Sequence, residues 1–296
     1  MFSVVVGITS AFIFGAADFL GGLGSKRISP IRITAVSAAT GMVVLSIAYL
    51  FVGGVWSVEA ALLGALSGVS GAIAISLLYA CLAIGPMSIL SPLTAVVSAI
   101  VPLTVGLAQG ERLGPIGYVA IVVALIAVVL VGFVREERAV VPSLRGILMA
   151  IGSGAMIGLF LVIIDLTPDD SGLVPLLMNR AMNAALMFAT VAVLAIIALR
   201  RGHRELGPTG SISTAERGWK AGLKFAIACG IVDSVANAGL LWGLRLGELS
   251  VMSVLTALYP AGTIILAALV LKERIAPLQY LGLALAIVAG GMFALA

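Results

Sequence analysis

Long apolar runs follow one another along the whole chain, each closed by Gly, Pro or a small knot of charge. A helix that crosses a bilayer needs about 20 mostly apolar residues. Ten runs of that kind are predicted, at 3–24, 32–54, 58–84, 87–108, 115–134, 146–165, 173–199, 221–246, 249–271 and 276–295. Some junctions are very short, such as Gly85-Pro86 between the third and fourth runs and Gly247-Glu248 between the eighth and ninth. Two polar stretches are longer: REERAVVPSLR at 135–145 and RRGHRELGPTGSISTAERGWK at 200–220. The second is the one sizeable extramembrane loop that the pattern predicts. The fold class is therefore an all-α integral membrane protein with ten transmembrane helices.

Composition agrees. Hydrophobic residues make up 61% of the 296 and charged residues 10%, whereas soluble domains carry about 25% charge. Mean hydropathy is +1.23. The net charge of +4 does not point to nucleic acid. Lys and Arg gather in a few loops, and no basic stripe is interleaved with aromatic residues. The lipid bilayer is the expected surrounding partner. Cys81 and Cys229 fall in predicted spans without Cys or His at metal-ligand spacing, so they read as packing residues. The stretch MFSVVVGITSAFIFG lacks a charged leading region and is expected to be the first span, not a cleaved signal.

The chain contains a phrase that occurs twice. GERLGPIGY at 110–118 and KERIAPLQY at 272–280 share Glu-Arg, Pro and Tyr in register. Under a shift of 162, residues 85–120 match 247–282 without a gap, with 12 of 36 positions identical. Apolar bias inflates matches among Leu, Ala and Val, but it does not align Glu111/Glu273, Pro115/Pro277 and Tyr118/Tyr280. An internal duplication follows. It predicts a first five-helix repeat at 1–134, a linker at 135–145 and a second repeat at 146–296. Five spans per half is an odd number, so the halves enter the membrane in opposite senses. This inverted-topology repeat is common among secondary transporters. Glu111 and Glu273 read locally as turn residues at the membrane surface, not as substrate ligands.

These signatures resemble the drug/metabolite transporter superfamily, in particular its EamA-like ten-helix members. FGAADF at 14–19 is similar to the family's first-helix pattern, with Phe14 where Trp is usual. The resemblance covers essentially the whole chain. It implies a carrier for small metabolites, often an exporter, with a central cavity between the halves.

Lys/Arg bias sets orientation. Placing the N-terminus outside puts 14 of the 17 Lys and Arg residues on the cytoplasmic side, in the segments 26–32, 135–145, 200–224 and 272–274. Arg112 and Arg245 fall on the other side. Both termini are thus expected outside a multi-pass protein of the cell inner (plasma) membrane, although many family members look to have cytoplasmic termini.

An ionisable group at membrane depth costs about 2.5–3.5 kcal/mol on insertion scales and marks function by default. Asp233 lies near the middle of the eighth span, with Asn237 at i+4 on the same face. Asp233 can bind an amine-bearing substrate, or carry a proton because a carboxyl out of water holds one more readily. It can equally pair with Arg180. Asn179, Arg180 and Asn183 cluster in the seventh span. Arg180 can hold a substrate carboxylate, snorkel to headgroups or neutralise Asp233. Asp18, among glycines in the first span, can line the pathway or pair near the cytoplasmic end. Asp165 is expected at the surface.

Pro260 interrupts the ninth span beside Ser253, Thr256 and Tyr259, and Pro92 and Pro102 disturb the fourth beside Ser91 and Thr94. Corresponding interrupted helices in both halves point to a binding site. Tyr259 reads as cavity-lining. Ser91, Thr94, Ser253 and Thr256 are candidates whose hydroxyls can instead bond back to their own helix. Gly64, Gly68 and Gly71 in the third span and Gly239, Gly243 and Gly247 in the eighth form small-residue ridges for close helix packing. Such faces suit a homodimer as well as internal packing.

No phosphate loop and no HExxH motif occurs, and the single histidine, His203, sits in the long loop. No cofactor is expected. The leading reading is a secondary active or facilitative transporter of small amphipathic metabolites such as amino acids, working by alternating access, with protons as the candidate coupling ion. The alternative is a non-transporting receptor or assembly partner docking through 200–220. An intramembrane aspartyl enzyme would need Asp18 and Asp233 facing one another, and nothing else in the sequence supports it.

Overall fold

A computed structural model describes residues 1–25, 27–84, 87–132, 142–202, 220–272 and 275–296. Residues 203–219, the body of the long loop, and 133–141, most of the linker, lie outside the described residues, as do Glu273 and Arg274. The first half comprises α1 (Phe2–Ser25), α2 (Pro30–Val52), α3 (Val58–Ile84), α4 (Met87–Ala108) and α5 (Pro115–Gly132). The second comprises α6 (Leu144–Asp165), α7 (Val174–Gly202), α8 (Lys220–Leu246), a split ninth span and α11 (Pro277–Leu295). The ninth span consists of α9 (Leu249–Thr256) and α10 (Tyr259–Leu271). Among the described residues there is no strand. Among the described residues nine spans, with α9 and α10 counted together as Leu249–Leu271, are long and apolar enough to cross a membrane, and Pro92–Ala108 adds a shorter apolar helix.

Local chemistry sets the helix ends. Pro30, Pro115 and Pro277 open their helices, where the missing N–H costs nothing. Ser143 caps α6, its hydroxyl accepting from Gly146 N at 3.1 Å. Pro260 sits in the first turn of α10, and the chain breaks over Ala257 and Leu258. The predicted ninth span is thus two helices, because proline cannot donate to the preceding turn and its ring crowds it.

Packing follows the duplication. α1 lies along α8 and α6 along α3; α2 packs on α8 and α7 on α3. α4 meets α9, α5 meets α11, and α2 meets α7. Exchanging the halves maps this pattern onto itself, as two inverted repeats about one pseudo-two-fold axis require. Small residues allow the close approaches. Gly64 and Gly68 of α3 face the backbone of Pro175 and Asn179 on α7. Gly239 and Gly243 of α8 face Ser10 of α1 and Met252 of α9. Hydroxyls then bond across the contacts, with Ser153 Oγ donating to Ala74 O at 2.8 Å and Ser70 Oγ to Met156 O at 2.6 Å.

Candidate functional site

A cavity of about 830 Å³ lies between the halves. Its walls come from α1, α2 and α3 on one side and α7, α8 and α10 on the other, with Gln279 of α11 at the edge. Most of the lining is apolar, including Phe19, Ile33, Leu78 and Ile264. Toward one face it reaches Ser25, Pro30, Leu271 and Ile275. These are the ends of α1 and α10 and the start of α2, so the cavity opens on that face.

On the opposite face contacts tie the halves together. Val55 N donates to Asp170 O at 2.8 Å, joining the α2–α3 turn to the α6–α7 turn. Gly54 has the carbonyl of Ser171 where a Cβ would stand, and its φ of 145° also favours glycine. Within the second half, Arg245 at the end of α8 steadies the α6–α7 turn, donating to Thr167 O at 2.5 Å, Pro168 O at 3.0 Å and Asp169 Oδ1 at 3.0 Å. Glu111, just after α4, accepts from Leu249 N at 2.7 Å and Ser250 N at 3.0 Å. A carboxylate from the first half thereby caps the N-terminus of α9 in the second, where the helix dipole favours negative charge.

Three charged side chains line the cavity among the described residues: Asp18, Arg180 and Asp233. Arg180 Nη2 forms an ion pair with Asp233 Oδ2. Asn237 supports the pair from one turn along α8, its Nδ2 donating to Asp233 O at 2.8 Å and Oδ1 at 3.2 Å. Asp18 is different. Its side chain is exposed to the cavity, and no hydrogen bond or ion pair reaches it among the described residues. Tyr259 and Asn183 line the same space. Two buried polar atoms beside the pair lack partners, Arg180 Nε and Asn183 Oδ1. Such atoms are rare in folded proteins.

The sequence-named residues therefore fall into two groups. Asp18, Arg180, Asn183, Asp233 and Tyr259 meet in one cavity, with Asn237 behind them. Thr94, Ser253 and Thr256 are not among its lining. The Thr94 hydroxyl points at Leu90 O (3.0 Å) and Ala150 O (3.2 Å), Ser253 at Ser250 O (2.9 Å), and Thr256 at Met252 O (2.7 Å). Asn179 Nδ2 is spent on Ser67 Oγ at 2.8 Å. The Ser91 side chain lies outside the described residues. Asp165 sits half-buried at the end of α6, its carbonyl 3.5 Å from Arg245 Nη1. Cys229, Ser37 and Gln279 line the cavity as well. Sequence reasoning gave them no site role, although Cys229 lies one turn before Asp233 and so shares its face.

An inverted pair of five-helix repeats around a charged internal cavity defines a polytopic membrane transporter. The model of the EamA-like transporter family matches residues 1–133 and 144–294. The chain belongs to that family. One solved crystal structure, described simply as that of a protein, superposes with a TM-score of 0.73 at 17% identity. The match covers 99% of this chain and 98% of that one, so the two share a fold. No curated protein matches the sequence.

Proposed function

We propose that the chain is a secondary transporter that carries a small amphipathic metabolite through the cavity by alternating access. The supporting observation is the asymmetry of the cavity between the halves. One face is open, and on the other the halves are tied together by Glu111 and the 53–55 turn. Rocking the halves would exchange the two faces. The Lys/Arg bias puts the open face in the cytoplasm of the cell carrying this inner-membrane protein. A reporter fused after Ala296 is expected to read as external, and cytoplasmic signal would reverse that orientation.

Coupling to protons fits Asp18 better than Asp233. The charge of Asp233 is met by Arg180. Among the described residues Asp18 has no counter-charge, and a proton is the simplest one.

Gly22 provides the test. It lines the cavity, and a Cβ added there meets nothing within 4 Å. Gly22→Trp should fold normally and block the path. Gly291 is equally open but is not part of the lining, so Gly291→Trp is the control. Proteoliposomes would be assayed with labelled amino acids, amines and organic acids. The expected result is flux of at least one probe, lost roughly tenfold or more in Gly22→Trp and kept in Gly291→Trp. Equal flux in both variants would show that this cavity is not the path.

A further inference from the structure

Building on the transport reading, we infer that the cavity selects organic monocations, amines with an apolar body and no carboxylate, over zwitterions and anions. The argument is one of charge balance. Asp18 on α1, Arg180 on α7 and Asp233 on α8 are the charged groups in the lining among the described residues. Tyr259 on α10 and Cys229 on α8 face the same space. Arg180 and Asp233 cancel as a pair. With all three ionised, the walls carry one uncompensated negative charge, on Asp18.

A protonated amine brings the total to zero. A zwitterionic amino acid leaves it at minus one, and an organic anion raises it to minus two. Unpaired charge away from water is costly, and in a poorly polarisable cavity these differences count for more than they would in solution. The Arg180 guanidinium, the one cation in the lining among the described residues, is already engaged by Asp233. The rest of the wall suits an apolar body, with Ile33, Ile75, Leu78 and Ile264 along it, and Phe19 and Tyr259 offer aromatic surface. Arg32 and Lys272, near the open face, are not part of the lining.

The test uses ligands built on one skeleton and the full-length purified protein. Leucinamide and leucinol are the cations, leucine the zwitterion, N-acetyl-leucine the anion and 4-methylpentanamide the neutral member. A ligand that binds the folded state raises its thermal midpoint with occupancy. The expected result is stabilisation by the two cations at concentrations at least tenfold below those needed for leucine, with none by the anion. Asp18→Asn should erase the order and Asp18→Glu should keep it. Equal or better stabilisation by leucine or N-acetyl-leucine would overturn the inference, as would an unchanged order in Asp18→Asn. The ligand series on the wild type decides the question even if Asp18→Asn does not fold. Flux of the same ligands in proteoliposomes separates the two levels. Cation binding without any flux would refute transport and leave the selectivity standing. Flux of leucine without cation binding would do the reverse.

Discussion

Asp233→Leu alone is expected to destabilise the protein by about 3–5 kcal/mol, the usual cost of leaving one member of a buried ion pair unpartnered. Arg180 is the charge left behind, with its side chain 11% exposed and its Nε already lacking a partner. Arg180→Met alone should cost less. Asp233 is 22% exposed and keeps its Asn237 hydrogen bond. The double variant Arg180→Met/Asp233→Leu removes both charges, and apolar replacements of buried pairs are often neutral or stabilising. Its thermal midpoint in detergent should return to within a few degrees of wild type. Transport is where the double variant should still fail. The pair lies in the cavity wall, and without it two of the three charged side chains in the lining among the described residues are gone. A stable double variant with wild-type flux would make the pair purely structural. A double variant as unstable as Asp233→Leu would mean that the loss lies in packing, not in charge.

The spans were legible because a bilayer imposes one rule, a long apolar run, on every crossing. The duplication was legible only in part. α3 and α8 start at Val58 and Lys220, the same shift of 162 that relates the repeated phrases. α1 and α6 start at Phe2 and Leu144, which is 142 apart, and α2 and α7 at Pro30 and Val174, 144 apart. The stretch between α7 and α8 is longer than that between α2 and α3, so a gapless comparison loses the first two helices of each half. Within the site, charge is legible, whereas the place of a small hydroxyl is not. Asp18, Arg180 and Asp233 stood out because few ionisable groups occur in the spans at all. For Thr94 and Ser253 the sequence leaves two readings open, because a hydroxyl bonded to its own helix and one facing a cavity have the same sequence pattern. That Asp233 rather than Asp18 takes Arg180 depends on how three helices meet, and no local pattern encodes that.

Glu111→Ala should shift the protein away from the access state described above. Its two carboxylate oxygens hold Leu249 N and Ser250 N across the interface between the halves. Gly106 packs so tightly beneath that an added Cβ would overlap the carboxylate, so the arrangement also depends on the missing side chain. Hydrogen bonds to a charged group contribute about 1.5–3 kcal/mol. If that free energy is present in one access state and absent in the other, removing it moves their ratio by on the order of ten- to a hundredfold. The sequence adds a symmetry argument. Under the shift of 162, Glu111 corresponds to Glu273, and Leu249 and Ser250 to Met87 and Ser88. A cap that belongs to one state in one half would then belong to the other state in the other half, so Glu111→Ala and Glu273→Ala should move the population in opposite directions. A cysteine at Thr34, in the lining of the open face, reads out the balance through its rate of modification by a water-soluble thiol reagent, in a background with Cys81 and Cys229 replaced by Ala. Glu111→Ala should slow that modification and Glu273→Ala should speed it. Equal rates in both variants, with folding intact, would reduce Glu111 to a static cap.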